Sequence, residues 1–403
     1  MILDYLSVWP VFVCLALAYA AMATPLFHRI DAPPTAASTR NPSLDGLRGF
    51  LAIAVVVHHG ATYHGYLLTH EWVVPPSNVY TGLGQGGVAM FFMITGFLFW
   101  GKILAARYGQ EVDWRALYIG RLFRIGPVYL LAVLLMLLVV GAGTGWTFMQ
   151  SRSVVAIEIA NWLLLGMGLR YDVNGFDHTG LLLAGVTWSL NVEWKFYFSL
   201  LFLSLLMSAA RRLLPTTYTS CAWIIPCVAL VACLLVSPRP NVPDDAMCGA
   251  LFSMGMLVAA RKPTLVGPDW VWSSVVLVCI AVALAGFPSS YQTAPILLLG
   301  VAFALIASGC TVFGIITGRP AIRLGEISYG IYLLQGLALS LAFRPAPFHR
   351  LALASPAYHW LLFLGAVGLL IVTASIVHIV IERPGIALGR QVARRSVDPP
   401  RDV

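Results

Sequence analysis

The sequence predicts an all-α protein, a polytopic transmembrane helix bundle of about eleven spans with the N-terminus outside and the C-terminus inside. Three observations carry this. Of 403 residues, 59% are hydrophobic and only 10% charged, and mean hydropathy is +0.83. A soluble globular chain carries about 25% charged residues, so there is too little polar surface here to face water on all sides. Second, the apolar runs are continuous and about twenty residues long, the length a helix needs to cross roughly 30 Å of hydrocarbon. Third, backbone in lipid must satisfy its own hydrogen bonds, which leaves helices or a closed barrel. Barrel strands alternate apolar and polar residues over about ten positions, and these runs do not alternate.

Taken in order, the runs fall at 6–26, 46–64, 86–105, 124–143, 187–209, 221–237, 246–260, 270–287, 294–316, 326–343 and 359–381. The first is read as a membrane helix and not as a signal peptide, because no Lys or Arg precedes Arg29 to form a basic n-region. A twelfth stretch, 154–169, is shorter and contains Glu158 and Asn161. Cytoplasmic loops collect Lys and Arg, and this rule decides against it. If 154–169 does not span, nineteen of the 25 Lys and Arg fall on the cytoplasmic side and five outside, with Lys195 inside a span. If it spans, every later loop changes side and Arg211, Arg212, Arg261 and Lys262 face out.

Residues 144–186 then form a long external loop, expected to fold back onto the bundle. The loop 65–85 is also external. Residues 1–40 are expected to supply an additional N-terminal helix and linker, 41–384 the main transmembrane domain, and 385–403 a disordered cytoplasmic tail with Pro399-Pro400. The net charge of +8 sits at helix ends, which argues against nucleic acid. The seven cysteines lie mostly in apolar runs, as at Cys221, Cys227 and Cys233, with no C-x-x-C pair and no metal-ligand spacing. They read as small buried apolar residues, and no metal is expected.

Ionisable groups within spans are costly and by default mark function. Four clusters stand out. In the second span, Asp45 and Arg48 precede His58-His59. His59 is eleven residues beyond Arg48, roughly 16 Å along a helix, which places it in the middle or outer part of the membrane. Histidine suits general-base work because its pKa lies near neutral. His58 faces about 100° away and is not favoured as the base. The second cluster is Arg121-x-x-Arg124 with Pro127, where Pro127 is expected in a helix's first turn. Two guanidinium groups on one face can grip phosphates bidentately; the spacing fits ordinary positive-inside anchoring as well. The third is Trp188-Ser189 through Glu193 to Tyr197, with Ser189, Glu193 and Tyr197 along one face. Glu193 and Lys195 are two apart and do not face each other. The fourth is Ser328, Tyr332 and Gln335, which also fit polar glue between helices. There is no P-loop, no G-x-S-x-G elbow and no H-E-x-x-H.

These clusters together resemble the acyltransferase-3 family of membrane acyltransferases over roughly residues 41–384. Leu44-Asp45-Gly46-Leu47-Arg48-Gly49 with His59 is similar to its R-x10-H motif. Gly87-Val88 through Phe91-Phe92 to Gly96-Phe97-Leu98 resembles its G-V-x-x-F-F-x-x-S-G-F-L stretch, with Thr95 for the usual Ser. Arg121-x-x-Arg124-Ile125-x-Pro127-x-Tyr129, Trp188-Ser189-Leu190-x-x-Glu193-x-x-Phe196-Tyr197, Ser328-Tyr329-x-x-Tyr332-Leu333 and Glu382-Arg383-Pro384 follow in the family's order. Two departures stand out. Gln335 replaces a frequent family His and cannot serve as a base, and the span at 6–26 is additional to the usual ten.

The resemblance implies an O-acyltransferase, most simply an O-acetyltransferase, using cytoplasmic acetyl-coenzyme A or another acyl-coenzyme A as donor. It implies that Arg121 and Arg124, with Arg48, bind the donor's phosphates. His59 would deprotonate an acceptor hydroxyl or carry the acyl group, and Glu193 would orient His59 or the acceptor. Asp45, Trp188, Ser189, Tyr197, Ser328, Tyr332 and Gln335 would support substrate. The implied acceptor is an extracytoplasmic glycan or glycolipid such as lipopolysaccharide, with small secondary metabolites as the alternative, and the implied location is a bacterial inner membrane. Some members carry an extracytoplasmic hydrolase-like domain. None is expected here, so the chain completes the transfer alone or hands the acyl group to a separate extracytoplasmic transferase. External Trp72, Tyr80, Trp146 and Tyr171 are candidates to stack on sugars, or interfacial aromatics. The competing class is a glycolipid transporter or flippase without chemistry, which would not consume thioester.

Overall fold

The computed structural model describes residues 4–31, 41–105, 112–213, 218–236 and 244–395. Among these, the regular structure is helical, with one isolated antiparallel bridge between Val173 and Phe176. In chain order the helices are α1 (Trp9–Ala23), α2 (Pro42–Thr69), α3 (Asn78–Ala105), α4 (Trp114–Gly143), α5 (Arg152–Trp162), α6 (Trp188–Leu213), α7 (Tyr218–Val236), α8 (Asp245–Ala260), α9 (Asp269–Ala285), α10 (Thr293–Ala307), α11 (Arg319–Glu326), α12 (Ser328–Phe343), α13 (Ala346–Ala354), α14 (Pro356–Val377) and α15 (Arg383–Arg395). The chain divides into two compact units, Met1–Val112 with Lys195–Ser328, and Asp113–Trp194 with Tyr329–Val403.

Each of the eleven expected spans contains a helix. Among the described residues, four stretches are long and apolar enough to cross a membrane: α3, α4, α6 over Trp188–Ala210, and Pro356–Arg394. Taking α11 and α12 as one broken span makes five. Helices α1, α8, α9 and α10 are apolar but only 15–17 residues long, roughly 23–26 Å at 1.5 Å per residue. The expected span 294–316 is shortened, because α10 stops at Ala307 and the chain turns through Gly309, Val312, Phe313 and Gly314 at positive φ. The outward faces of these helices are apolar. On α4, Leu130, Leu134 and Leu138 are exposed in a stripe of period four while Tyr129, Val133, Met136 and Val140 are buried. A helix apolar on both faces is stable only in an apolar medium.

In the first unit, α2 packs on α3 and α11, α3 on α8 and α9, α7 on α8, and α9 on α10. Helix α2 starts where the sequence directs it. The Asn41 side chain accepts from the Leu44 amide at 3.4 Å, Pro42 occupies the first turn and Asp45 follows there, where a carboxylate is favoured by the helix dipole. The close approach of α2 and α11 requires glycine on both sides. A Cβ on Gly46 would run into the carbonyl of Ile316, and one on Gly325 into the carbonyl of Asp45. Arg323, on α11, is buried and ties down the N-terminal segment. It pairs with Asp31 at 2.7 and 2.8 Å and donates to the carbonyls of Met22 and Thr24 at 2.7 and 3.0 Å. Its hydrogen bonds hold the Asp31 carboxyl below its ordinary range. At the start of α9, Asp269 accepts from Thr311 and Ser273 and so fixes the turn after α10.

In the second unit, α15 packs along α4, and α13 on α14. The expectation for Pro127 is corrected here. Helix α4 begins at Trp114 under an Asp113 cap, so Pro127 lies inside it. Proline there removes one ladder bond, and the carbonyl left over, that of Phe123, lies against Gly385 of α15. The expected disordered tail is also corrected in part: residues 383–395 are helical, and 396–403 lie outside the described residues.

The segment 144–186, expected to be external, is folded, and α5, at 11 residues, is too short to span. Glu158 is buried within it and accepts from the Asn174 amide at 2.9 Å. Asn174 in turn accepts from the Met149 amide at 2.8 Å and donates to the Thr147 carbonyl at 2.7 Å. Asn161 accepts from the Leu169 amide at 3.2 Å. Glu158 and Asn161 therefore organise this segment.

Candidate active site

The sequence-singled residues divide between the two units, and each group has its own geometry. Asp45, Arg48 and His59 all stand on α2, an unbroken helix from Pro42 to Thr69. Eleven residues are close to three full turns, so Arg48 and His59 share a face, about 16 Å apart along the axis. Asp45 and Arg48 are half-buried at the helix start. His59 is buried, at 8% exposure. Its imidazole stacks on the Trp72 indole, with centroids 5.8 Å apart and 28° between planes. Tyr63 and Tyr66 meet the same indole edge-on, at 5.7 and 5.8 Å. Trp72 is partly exposed, so one aromatic wall separates His59 from the surface. Tyr80, expected as an external stacking residue, is fully buried instead. Its hydroxyl donates to the Ser7 carbonyl at 2.7 Å.

Other expected residues of this unit have structural partners. Lys195 makes a two-pronged pair with Asp245 at 2.7 and 2.8 Å, which accounts for a cation inside a predicted span. Tyr197 is buried, with its ring 4.9 Å from that of Phe99. Ser328 is buried and donates to the Gly325 carbonyl at 2.7 Å, closing the α11–α12 turn.

In the second unit the arginine motif and the start of α6 lie beside α12. Arg121 and Arg124 are half-buried on α4. One residue beyond Arg124, the Ile125 carbonyl accepts from the Tyr329 hydroxyl at 3.0 Å. Buried Ser189 lies 2.9 Å from the Tyr332 hydroxyl and donates to the Val186 carbonyl at 3.0 Å. Glu193 is half-buried one turn further along α6, and Trp188 half-buried at its first position. Buried Gln335 donates to the Tyr332 carbonyl at 2.8 Å. Ser189 and Tyr332 thus form a polar contact between α6 and α12, while the Gln335 bond stays within α12.

The sequence left one pair unremarked. His378 and Glu382, each 2% exposed, are bonded at 2.8 Å across a π-helical turn, His378–Glu382. Such turns gather at functional sites. The signal available in the sequence was the H-x-x-x-E spacing, which puts both on one helix face, directly before Arg383-Pro384. Among the described residues no group of three or more His, Cys, Asp or Glu is placed to hold a metal.

The family model described as an acyltransferase domain, acyltransferase-3, matches residues 41–380. The chain belongs to this family. It is an acyltransferase and, with its apolar helices, an integral membrane protein. Among curated proteins it is similar to the O-acetyltransferase OatA of Staphylococcus aureus strains NCTC 8325 / PS 47, COL and MRSA252. Each is 26% identical over 193 residues, which is 47% of this chain and 28% of the relative. The chain thus aligns with less than a third of the curated relatives it matches. No solved structure matches it. Membership of an acyltransferase family supports acyl-group chemistry. It also frames the two groups: a histidine under an aromatic wall in one unit, an arginine pair and a hydroxyl pair in the other.

Proposed function

We propose that the protein is a transmembrane O-acetyltransferase that takes an acetyl group from cytoplasmic acetyl-coenzyme A and delivers it to a hydroxyl of an extracytoplasmic glycan or glycolipid. The observation that carries this is the acyltransferase-3 match over 41–380 together with α2, which holds Arg48 and His59 on one face of a single unbroken helix. The likeness to an O-acetyltransferase favours acetyl as the group moved. The eleven-span arrangement, N-terminus out, puts the start of α4 on the cytoplasmic side and 144–186 outside, and a bacterial inner membrane is the setting that fits.

In this reading Arg121 and Arg124, with Arg48, hold the phosphates of the donor, for which paired guanidinium groups suit geometry and charge. His59 takes the proton of the acceptor hydroxyl as that oxygen attacks the thioester carbonyl. Collapse of the tetrahedral intermediate then expels coenzyme A thiolate, which takes up a proton. Glu193 orients His59 or the acceptor, and Ser189 and Tyr332 support substrate. Trp72 and Tyr66, partly exposed beside His59, are suited to a sugar face.

The test is acetyl-coenzyme A consumption by purified full-length protein in nanodiscs with a panel of glycan acceptors. A productive acceptor is expected to raise thioester loss above the acceptor-free rate. His59→Ala is expected to lower acceptor-dependent turnover by about 100-fold or more. Arg124→Ala is expected to raise the donor KM with a smaller effect on kcat. Turnover that survives His59→Ala removes the base assignment; no thioester loss with any acceptor points to a different donor or a missing transferase.

A further inference from the structure

His58 faces away from His59 and is not favoured as the base, yet it is closely held. Its ring is buried, with 9% exposure. Its Nδ1 lies 2.8 Å from the Tyr80 carbonyl. A carbonyl oxygen only accepts, so Nδ1 carries the proton and fixes the tautomer. The His58 ring meets the His59 ring edge to face at a centroid distance of 5.0 Å. On its other side the ring lies against Gly84 of α3, where any Cβ would collide with the imidazole. The glycine therefore makes the space that this rotamer needs.

The chain continues outward from Tyr80. Its hydroxyl donates to the Ser7 carbonyl, in the segment just before α1. Two residues earlier, the Tyr5 ring stacks on His64 of α2, with centroids 3.5 Å apart and 14° between planes. At the far end of α1 the Arg323 bonds to Met22, Thr24 and Asp31 clamp the same segment. Residues 4–31 precede the stretch that matches the family, 41–380, and grip α2 and α3 where the histidine pair sits.

We propose that His58 is a positioning residue that sets the ring orientation of His59, and that the N-terminal segment holds His58 in place through the Ser7–Tyr80–His58 hydrogen-bond chain. The proposal rests on His59 as the base in the reaction above. Carbonyl, tautomer and rotamer together leave the His58 ring one orientation, and the ring edge then fixes how far the His59 imidazole can turn. Small displacements of a base cost about 100-fold in rate when they spoil its attack geometry.

The test uses the full chain in nanodiscs and has two readouts. In the acetyl-coenzyme A assay, His58→Ala is expected to lower kcat by about 10- to 100-fold with the donor KM unchanged. His58→Asn, whose side-chain amide N–H falls near the Nδ1 position, is expected to recover kcat to within several-fold of wild type. A milder loss is expected for Tyr80→Phe, which removes the hydroxyl that bonds Ser7. Full activity in His58→Ala, or equal loss in the Ala and Asn variants, overturns the proposal. His59→Ala in the same panel separates the two ideas: if it keeps turnover, the base assignment is what fails. The second readout needs no acceptor. With ¹⁵N-labelled histidine, Tyr80→Phe and His58→Asn are each expected to shift the His59 ring resonances, and an unmoved His59 signal overturns the proposal even in a variant that folds poorly in the assay.

Discussion

Asp31 and Arg323 show what a single charged pair does at the edge of this bundle. Arg323 is buried while Asp31 remains partly open to solvent, with side-chain exposures of 8% and 43%. The guanidinium spends its other donors on the Met22 and Thr24 carbonyls. These carbonyls stand at the C-terminal end of α1 and at the turn after it, where the helix ladder runs out. Asp31 is the only acid on that guanidinium among the bonds described, and its carboxyl is held below the ordinary range by it. A lowered folded pKa gives stability that is complete above the unfolded value, near pH 4, and is lost as pH falls through the folded one. In thermal melts of the detergent-solubilised protein, the gap between wild type and Asp31→Asn is therefore expected to be constant from about pH 8 to pH 5 and to close below pH 4. A gap that widens on acidification contradicts this pairing. Nothing in the sequence pointed to it, since the partners are far apart in the chain and each reads as a positive-inside or loop residue. Glu158 was half legible: it marked 154–169 as an unusual apolar stretch, which the distribution of Lys and Arg excluded as a span, but its bond to the Asn174 amide depends on a turn the periodicity does not encode.

Helices, by contrast, were largely readable, and the misreadings have a common cause. Apolar runs locate helices in lipid because composition there leaves few alternatives. Where a helix continues past its apolar run, hydropathy loses it. Helix α4 extends back to Trp114 through Arg115 and Arg121, so Pro127 was placed at a start when it lies inside. Helix α15 is amphipathic and basic, and packing on α4 forms it where composition suggested a free tail. Motif glycines are the reverse case: legible as a pattern, opaque as to cause until the neighbour is seen. Gly46 lies within the Leu-Asp-Gly-Leu-Arg-Gly stretch because the Ile316 carbonyl occupies the place of its Cβ. Gly46→Leu is expected to separate α2 from α11 and destabilise the protein by about 1–3 kcal/mol or more, as overpacking does. It should lower the melting temperature in detergent, and Gly65→Leu, where nothing lies near the added Cβ, is the control. Equal melting temperatures for the two would remove the close approach as the reason for the glycine.

How the whole chain sits in the bilayer follows from charge and from what the helices leave polar. Helix α2 is 28 residues long and so long enough to cross, but Asp45, Arg48 and the histidine pair dilute its hydropathy and keep it out of the clearly apolar set. The helix that carries the proposed base thus carries ionisable groups along its length, which by default mark function in a span. The shorter apolar helices reach less than about 30 Å, so eleven crossings require their flanking turns to lie at membrane depth. The turn after α10 is built for that: Asp269, Ser273 and Thr311 satisfy its backbone amides internally, as non-helical chain at such depth must be. The arrangement makes opposite demands on two exposed positions, Asp177 in the loop 144–186 and Arg115 at the start of α4. In sealed cells, Asp177→Cys is expected to react with a membrane-impermeant maleimide, and Arg115→Cys only after permeabilisation. The background must first have its reactive native thiols replaced, since all seven cysteines are free. Labelling of both positions from one side would place an even number of crossings between them and so remove α4 as a single span. That would move the arginine pair away from the cytoplasmic donor, and with it the proposed direction of transfer.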